Sequence, residues 1–226
     1  MKKRFKILLV DDHPMILEAY QSILSSLEMS AGYIFTIHTA NNCDSAIKKI
    51  AYASKKRHYD ILFLDIKLPP SSDGEIISGE GLAAYAREML PKARIVILTM
   101  FNEYDRLHNI LNTVSPDGLL VKNDVTLKEF IVAFDVIINN PPYYSATVKK
   151  YFGNKKGNQE EQLLDEINRK ILYHLSKGIK TKNLINYINL SLSAIEKRKT
   201  QIRSLFELEK ANDEKLIEEA KSRGFI

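Results

Sequence analysis

The chain has 226 residues, 45% hydrophobic and 27% charged, with a formal net charge of +5 at pH 7. That length lies between one large domain and two small ones, and the composition excludes wholesale disorder. The single cysteine, Cys43, excludes an intramolecular disulfide framework and a cysteine-built zinc site.

The start, MKKRFKILLV, imitates a signal peptide, but its apolar stretch stops at Asp11-Asp12. No apolar run approaches the ~20 residues of a membrane helix, so the expectation is a cytoplasmic protein with no membrane partner. Short apolar runs occupy 7–10, 61–64, 95–98 and 119–121, with a weaker, alternating one at 33–37. Helix-period segments separate them. In the first, Ile16, Leu17, Tyr20, Ile23, Leu24 and Leu27 fall at i, i+3, i+4 spacing, and Pro14 suits the opening turn. Strands apolar throughout, alternating with helices, predict βαβ units and a parallel sheet covered on both faces. Residues 1–139 therefore read as a five-stranded, doubly wound α/β domain.

The helical segment 127–138 is stopped by Asn139-Asn140-Pro141-Pro142. Residues 140–160 read as a linker, polar and glycine-containing in GNKKGNQEEQ at 153–162. From 161 to 226 no strand signal remains. Leu163, Leu164, Ile167, Ile171, Leu172 and Leu175 predict an amphipathic helix closed by Gly178. Leu184, Ile185 and Ile188 predict a short second helix. Leu192, Ile195, Ile202 and Phe206 predict a third, and Leu216, Ile217 and Ala220 a fourth. Charge is uneven: residues 1–139 carry a net −1, 140–159 a net +4 and 160–226 a net +2. That asymmetry hints at an anionic partner for the second half.

The most telling positions lie directly after the apolar runs: Asp11-Asp12, Asp65, Thr99 and Lys122. In an open parallel sheet all strand C-termini share one edge, where such folds bind ligands. Carboxylates gathered there repel by several kcal/mol, roughly 4 kcal/mol per pair at 4 Å and an effective dielectric of ~20. A hard divalent cation such as Mg²⁺ relieves this. A lysine and a hydroxyl are what an incoming phosphoryl group needs. The set can support phosphoryl transfer onto a carboxylate, with Asp65, alone on its strand, as the acceptor. His13 reads as a residue of the helix cap.

DDHP at 11–14, LDIKLPP at 64–70, ILTM at 97–100 and GLLVK at 118–122 resemble the receiver domain of bacterial two-component response regulators, NarL/LuxR-type in particular. The resemblance implies Asp65 as phosphoacceptor. It implies Mg²⁺ held by Asp12, Asp65 and the backbone carbonyl of Lys67, with Asp11 acting through water, and Thr99 and Lys122 on the phosphoryl oxygens. Two departures stand out. The usual aromatic switch residue after the glycine of the last strand is Leu119, and SSDGEIIS at 71–78 lengthens the loop beyond Asp65, so that Gly81 would begin the next helix.

The helices of the second half suggest a helix-turn-helix. In the candidate recognition helix Ser193, Lys197, Thr200, Gln201 and Ser204 project opposite the apolar side. Lys197 and Gln201 suit base edges, and Lys180, Thr181 and Lys182 suit phosphates. The bland alternative is a solvated basic helix with Ser193 and Glu196 as a capping box. Residues 167–206 also resemble the LuxR-type output domain, which implies Glu196, Lys197 and Thr200 facing bases, with Lys182 and Arg203 on phosphates. Ala194-Ile195 replaces the family's threonine-valine, and Arg198 a histidine. The expected protein is a DNA-binding transcription regulator of a phosphorelay. Its partners would be a sensor histidine kinase, double-stranded DNA and, when phosphorylated, a second copy of itself. It would not be an enzyme acting on a separate substrate, its only chemistry being autophosphorylation and autodephosphorylation. The alternative is a phosphorylation-controlled module whose helical domain binds a protein.

Overall fold

The computed structural model describes residues 3–152 and 164–226. The chain divides into two units, Met1–Lys156 and Gly157–Ile226. In the first, β1 (Lys3–Val10), β2 (Tyr33–Ala40), β3 (Ile61–Asp65), β4 (Arg94–Thr99) and β5 (Gly118–Val121) alternate with α1 (Pro14–Ala31), α2 (Cys43–Ser54), α3 (Gly79–Met89), α4 (Tyr104–Val114) and α5 (Leu127–Asn139). All pairings are parallel, in the order β2-β1-β3-β4-β5, with a short sixth strand, β6 (Tyr143–Tyr144), beside β5. Side chains alternate across the strands. Leu8, Val10, Leu62, Leu64, Ile95 and Ile97 bury against α2, α3 and α4, while Ile7, Leu9, Ile61, Phe63, Val96 and Leu98 bury against α1 and α5. Cys43 belongs to the first of these cores, where burial pushes its thiol up to about 12.

The sheet has six strands rather than the expected five. β6 (Tyr143–Tyr144) pairs with Gly118 and Leu119, and α6 (Ala146–Phe152) follows it with Val148 fully buried. Residues 143–152, read from sequence as linker, thus belong to the first unit. Apolar anchors too few to show a period hid them. GNKKGNQEEQ lies outside the described residues, as does Leu163.

The inserted loop is ordered. Ser71 accepts from Ile76 N–H through Oγ (3.0 Å) and donates its own N–H to the Ile76 carbonyl (2.7 Å). Asp44, in the first turn of α2, accepts from Ser72 N–H and Oγ. Ser78 then caps α3, which begins at Gly79, two residues earlier than expected.

In the second unit α7 (Glu166–Ser176), α8 (Leu192–Leu205) and α9 (Asp213–Ser222) enclose a core of Ile171, Leu172, Leu184, Ile195, Ile202 and Leu216. Asp165 caps α7, and Gly178 follows it at φ 79°, a conformation glycine adopts without strain. The expected second helix is a 3₁₀ helix, Thr181–Asn186. Six residues with asparagine at 183 and 186 favour that tighter, shorter form. Among the described residues no helix is long and apolar enough to cross a membrane.

Candidate functional site

Register gathers the expected residues at one sheet edge. Val10 pairs with Leu64, Leu64 with Ile97, and Ile97 with Leu119, so Asp11, Asp65, Thr99 and Lys122 leave four adjacent strands side by side. Asp11, Asp65 and Thr99 are buried and Asp12 is partly exposed. Lys122 Nζ donates to Asp11 Oδ2 at 2.7 Å and lies 3.0 Å from Asp65 Oδ1. Burial alone would lower the Lys122 ammonium, but its bonds to Asp11 and Asp65 outweigh this and hold it above the ordinary lysine range. Asp65 is raised above the usual carboxylate range by burial, against the pull of Lys122 and with Asp11 and Asp12 adding to it.

Asp12 Oδ1 is sealed from solvent and makes no hydrogen bond. His13 Nδ1 lies 2.8 Å from it, off-line for hydrogen bonding, and 3.2 Å from Asp11 Oδ1. His13 holds the N-cap position of α1, as read from sequence, and its backbone N–H donates to Asp11 Oδ1 at 3.0 Å. Ligand atoms of Asp11, Asp12 and His13 lie within 4.8 Å of one another. Lys67 sits in the bend after β3. There the Ile66 carbonyl accepts from Leu68 and Gly79, while that of Lys67 accepts no hydrogen bond among the described residues. A solvent-sealed, unsatisfied Asp12 oxygen beside Asp11, with Asp65 at the same sheet edge and an unused carbonyl two residues after it, offers oxygen donors that suit a hard divalent cation such as Mg²⁺. Thr99 Oγ1 accepts from Phe101 N–H at 3.0 Å.

Several residues of this edge carried no sequence signal. Tyr20, on α1, has its phenol held far above the usual range by burial, then by Asp11 and Asp65. Glu80 and Arg106 form a buried ion pair, 2.5 Å between Oε1 and Nη1, tying α3 to α4. Asp124 accepts from Ser145 Oγ (2.6 Å), Thr147 N–H (2.8 Å) and Thr147 Oγ1 (2.8 Å). It thereby ties the 3₁₀ turn Lys122–Asp124 to the start of α6. Leu119, at the position of the usual aromatic switch, is fully buried between β4 and β6.

In the second unit Ser193, Glu196, Lys197, Thr200, Gln201 and Ser204 lie exposed along α8, and Lys180 and Lys182 are exposed before it. Lys197 and Gln201 line a groove of about 570 Å³ together with Asp165, Asn168 and Arg198. Two expected DNA contacts are engaged internally instead. Arg203 Nη2 donates to Asp213 Oδ1 at 2.6 Å, and Thr181 Oγ1 accepts from the buried Lys199 Nζ at 2.5 Å. Asp213, at the first position of α9, draws both inward. Ser193 and Glu196 do not form the capping box: Ser191 is the N-cap and accepts from Ala194 N–H at 3.3 Å.

Comparison with known proteins agrees with this architecture. The oxygen regulatory protein NreC of Staphylococcus epidermidis is 24% identical over 208 residues, 87% of this chain and 88% of that one. NreC of Staphylococcus carnosus is 23% identical over 207 residues, with 87% and 88% covered. RcsB from Salmonella enterica serovar Typhimurium, solved bound to promoter rprA with the phosphomimetic BeF₃⁻, shares the fold. Its TM-score is 0.66 at 18% identity, over 97% of this chain and 99% of that one. RcsB bound to promoter P1flhDC gives a TM-score of 0.64 at 19% identity, over 96% and 98%. A family model for the response regulator receiver domain matches residues 7–130, strands and acidic edge included. With more than half of its length in that match, the chain belongs to the response regulator receiver family.

Proposed function

We propose that this protein is a DNA-binding response regulator of a two-component phosphorelay, switched by Mg²⁺-dependent phosphorylation of Asp65. The observation that carries this is the Lys122 ammonium bridging Asp11 and Asp65 at 2.7 and 3.0 Å, on an edge where Asp12 keeps an unsatisfied oxygen. Asp12, Asp65 and the Lys67 carbonyl would hold Mg²⁺, with Asp11 acting through water; the ion would offset the carboxylates and the phosphoryl oxygens. An Asp65 oxygen attacks phosphorus, and the bond from phosphorus to the histidine of a sensor kinase breaks. The departing imidazole takes a proton from solvent, and Asp65 is left as an acyl phosphate. Lys122 exchanges its Asp65 contact for a phosphoryl oxygen, and the Thr99 hydroxyl donates to another while still accepting from Phe101. In this reading the chain turns over no separate substrate.

The modification replaces the single charge of the Asp65 carboxylate by the ~−1.5 to −2 of a phosphoryl group on three oxygens, enough to bias a receiver with two conformations. The consequence is dimerisation, which brings two α8 helices to half-sites about one helical turn apart. That RcsB has been solved on promoter DNA supports a duplex rather than a protein as the partner class. The test is intact mass after incubation with a small acyl phosphate, with and without Mg²⁺, on wild type and Asp65→Asn. One Mg²⁺-dependent adduct, absent from the variant, is expected. An adduct that persists in Asp65→Asn would assign the acceptor elsewhere.

A further inference from the structure

The charge of the first unit is sharply polarised. Strands of a parallel sheet all begin at one edge and all end at the other. The edge where they end holds Asp11, Asp12 and Asp65, and the helices that start there add Asp44, Glu80 and Asp105 in their first turns. The edge where they begin is basic. Lys3 and Arg4 open β1, Lys55, Lys56 and Arg57 lead into β3, and Lys92 leads into β4. All six are exposed, and none forms an ion pair among the described residues. Since β1, β3 and β4 are neighbours, these cations form one band.

Carboxylates also lie at this edge: Glu88, near the end of α3, and Asp60 are both exposed. Asp60 accepts from Lys6 N–H at 2.6 Å, and Asp117 is held by Arg87 and Arg94 at 3.2 and 3.0 Å. One band residue acts on a group beneath: Lys6 is held below the ordinary lysine range by burial and then by Arg57, against Asp60. A helix dipole accounts for Lys55, the C-cap of α2. It does not account for Lys3, Arg4 or Lys92, which lie on strand and loop. A cleft of about 530 Å³ opens within the band, walled by Phe5, Ile61 and Pro91 and edged by His58, Asp60, Lys92 and Arg94.

Like charges that outnumber the free carboxylates beside them repel one another and are relieved by a polyanion. Long, exposed lysines and arginines spread over three strands match a series of phosphates rather than one small anion. We propose that this N-terminal edge of the receiver sheet is a second, sequence-independent contact with the phosphate backbone of duplex DNA. The proposal rests on reading the chain as a DNA binder, and the helical unit gives it a reason. Arg198, Lys199 and Arg203 there are engaged by Asp165 and Asp213. Around α8, phosphates are therefore left to Lys180, Lys182 and Lys197, and the receiver edge adds the cations that this surface lacks.

The test uses the full chain and a duplex of arbitrary sequence, with affinity measured by anisotropy across salt concentrations. Each phosphate contact contributes about −0.9 to the slope of log affinity against log salt. Lys55→Gln/Lys56→Gln/Arg57→Gln, all exposed, should flatten that slope by up to about 2.7. Lys92→Gln alone should flatten it by about 0.9, and both variants should keep the wild-type thermal midpoint. Lys128→Gln/Lys150→Gln, which removes exposed charge elsewhere in the unit, should leave the slope unchanged. A wild-type slope in the triple variant and in Lys92→Gln overturns the proposal while the DNA reading stands. Equal flattening per charge in the Lys128/Lys150 variant overturns it as well. Wild type that retains no duplex even at low salt overturns the DNA reading, and this proposal with it.

Discussion

Gly79 offers the sharpest test of how the acceptor strand is held. It is the first residue of α3, and its N–H donates to the Ile66 carbonyl at 2.9 Å. A Cβ built there would lie 1.9 Å from the Asp65 carbonyl oxygen and 2.8 Å from Ile66 Cα. Both are backbone atoms, which no rotamer change can move. Relief requires a shift of roughly 1 Å or more in either α3 or the Asp65–Ile66 bend, at the upper end of the 1–3 kcal/mol typical of overpacking or beyond it. Gly79→Ala should therefore cost about 3 kcal/mol, or about 1–3 M in urea midpoint for a slope of 1–3 kcal/mol/M. Displacing the nucleophile by such a distance should also slow phosphoryl uptake, by up to about 100-fold. Gly81, two residues on, meets only Ile76 Cγ2 at 3.4 Å, an ordinary contact. Gly81→Ala should stabilise by up to about 1 kcal/mol, because it removes only the helix penalty of glycine. Urea denaturation followed by circular dichroism, with uptake measured by intact mass, separates the two. A Gly79→Ala protein within 0.5 kcal/mol of wild type would refute the close approach.

Arg106→Met breaks the buried ion pair with Glu80 and should cost about 3–5 kcal/mol by urea denaturation; adding Glu80→Gln should recover part of this. Asp124 is held below the usual carboxylate range: burial alone would raise it, but the bonds from Ser145 and Thr147 outweigh that. Its stabilising contribution is therefore complete above the unfolded-state value and is lost as pH falls through the lower folded value. Asp124→Asn should be less stable than wild type at pH 6, with a gap that narrows through the acid limb; a gap of constant size would mean that the charge is not responsible. Lys197→Ala should weaken binding to a cognate promoter and relax specificity at one position, whereas an unchanged binding profile across base substitutions would remove Lys197 from readout.

The sheet and its acidic edge were legible because four of the β runs, those of β1, β3, β4 and β5, are apolar on both faces and end in a residue with distinctive chemistry. Parallel register then does the rest, since equal strand ends bring Asp11, Asp65, Thr99 and Lys122 together without further information. Tyr143-Tyr144 and 146–152 were not legible. A two-residue strand has no period, and α6 is anchored, among its described side chains, through one fully buried residue, Val148, together with polar bonds to Asp124. The basic edge was hidden for a different reason. Summed along the chain, the cations before β1, β3 and β4 cancel the carboxylates after them, and only the topology sorts the two onto opposite edges.

In the helical unit, charge along the sequence overstated what is available for DNA. Lys197, Arg198, Lys199 and Arg203 outweigh Glu196 on α8, yet three of those four cations face carboxylates of their own unit. The size of the unit accounts for this. A span of roughly 60–70 residues buries only about 60% of the surface its unfolded chain exposes, so polar cross-links between helices carry weight that a larger core would make unnecessary. Asp213 joins α9 to α8 through Lys199 and Arg203, and Lys199 reaches the 3₁₀ helix through Thr181. Asp165 joins α7 to α8 through Arg198. These bonds hold α8 against the other three elements, and its outward face is left with short uncharged side chains, Lys197 and the acidic Glu196. Such a face is suited to discriminating base edges and poorly suited to neutralising phosphates. The number of phosphates that the intact chain neutralises therefore depends on cations outside α8.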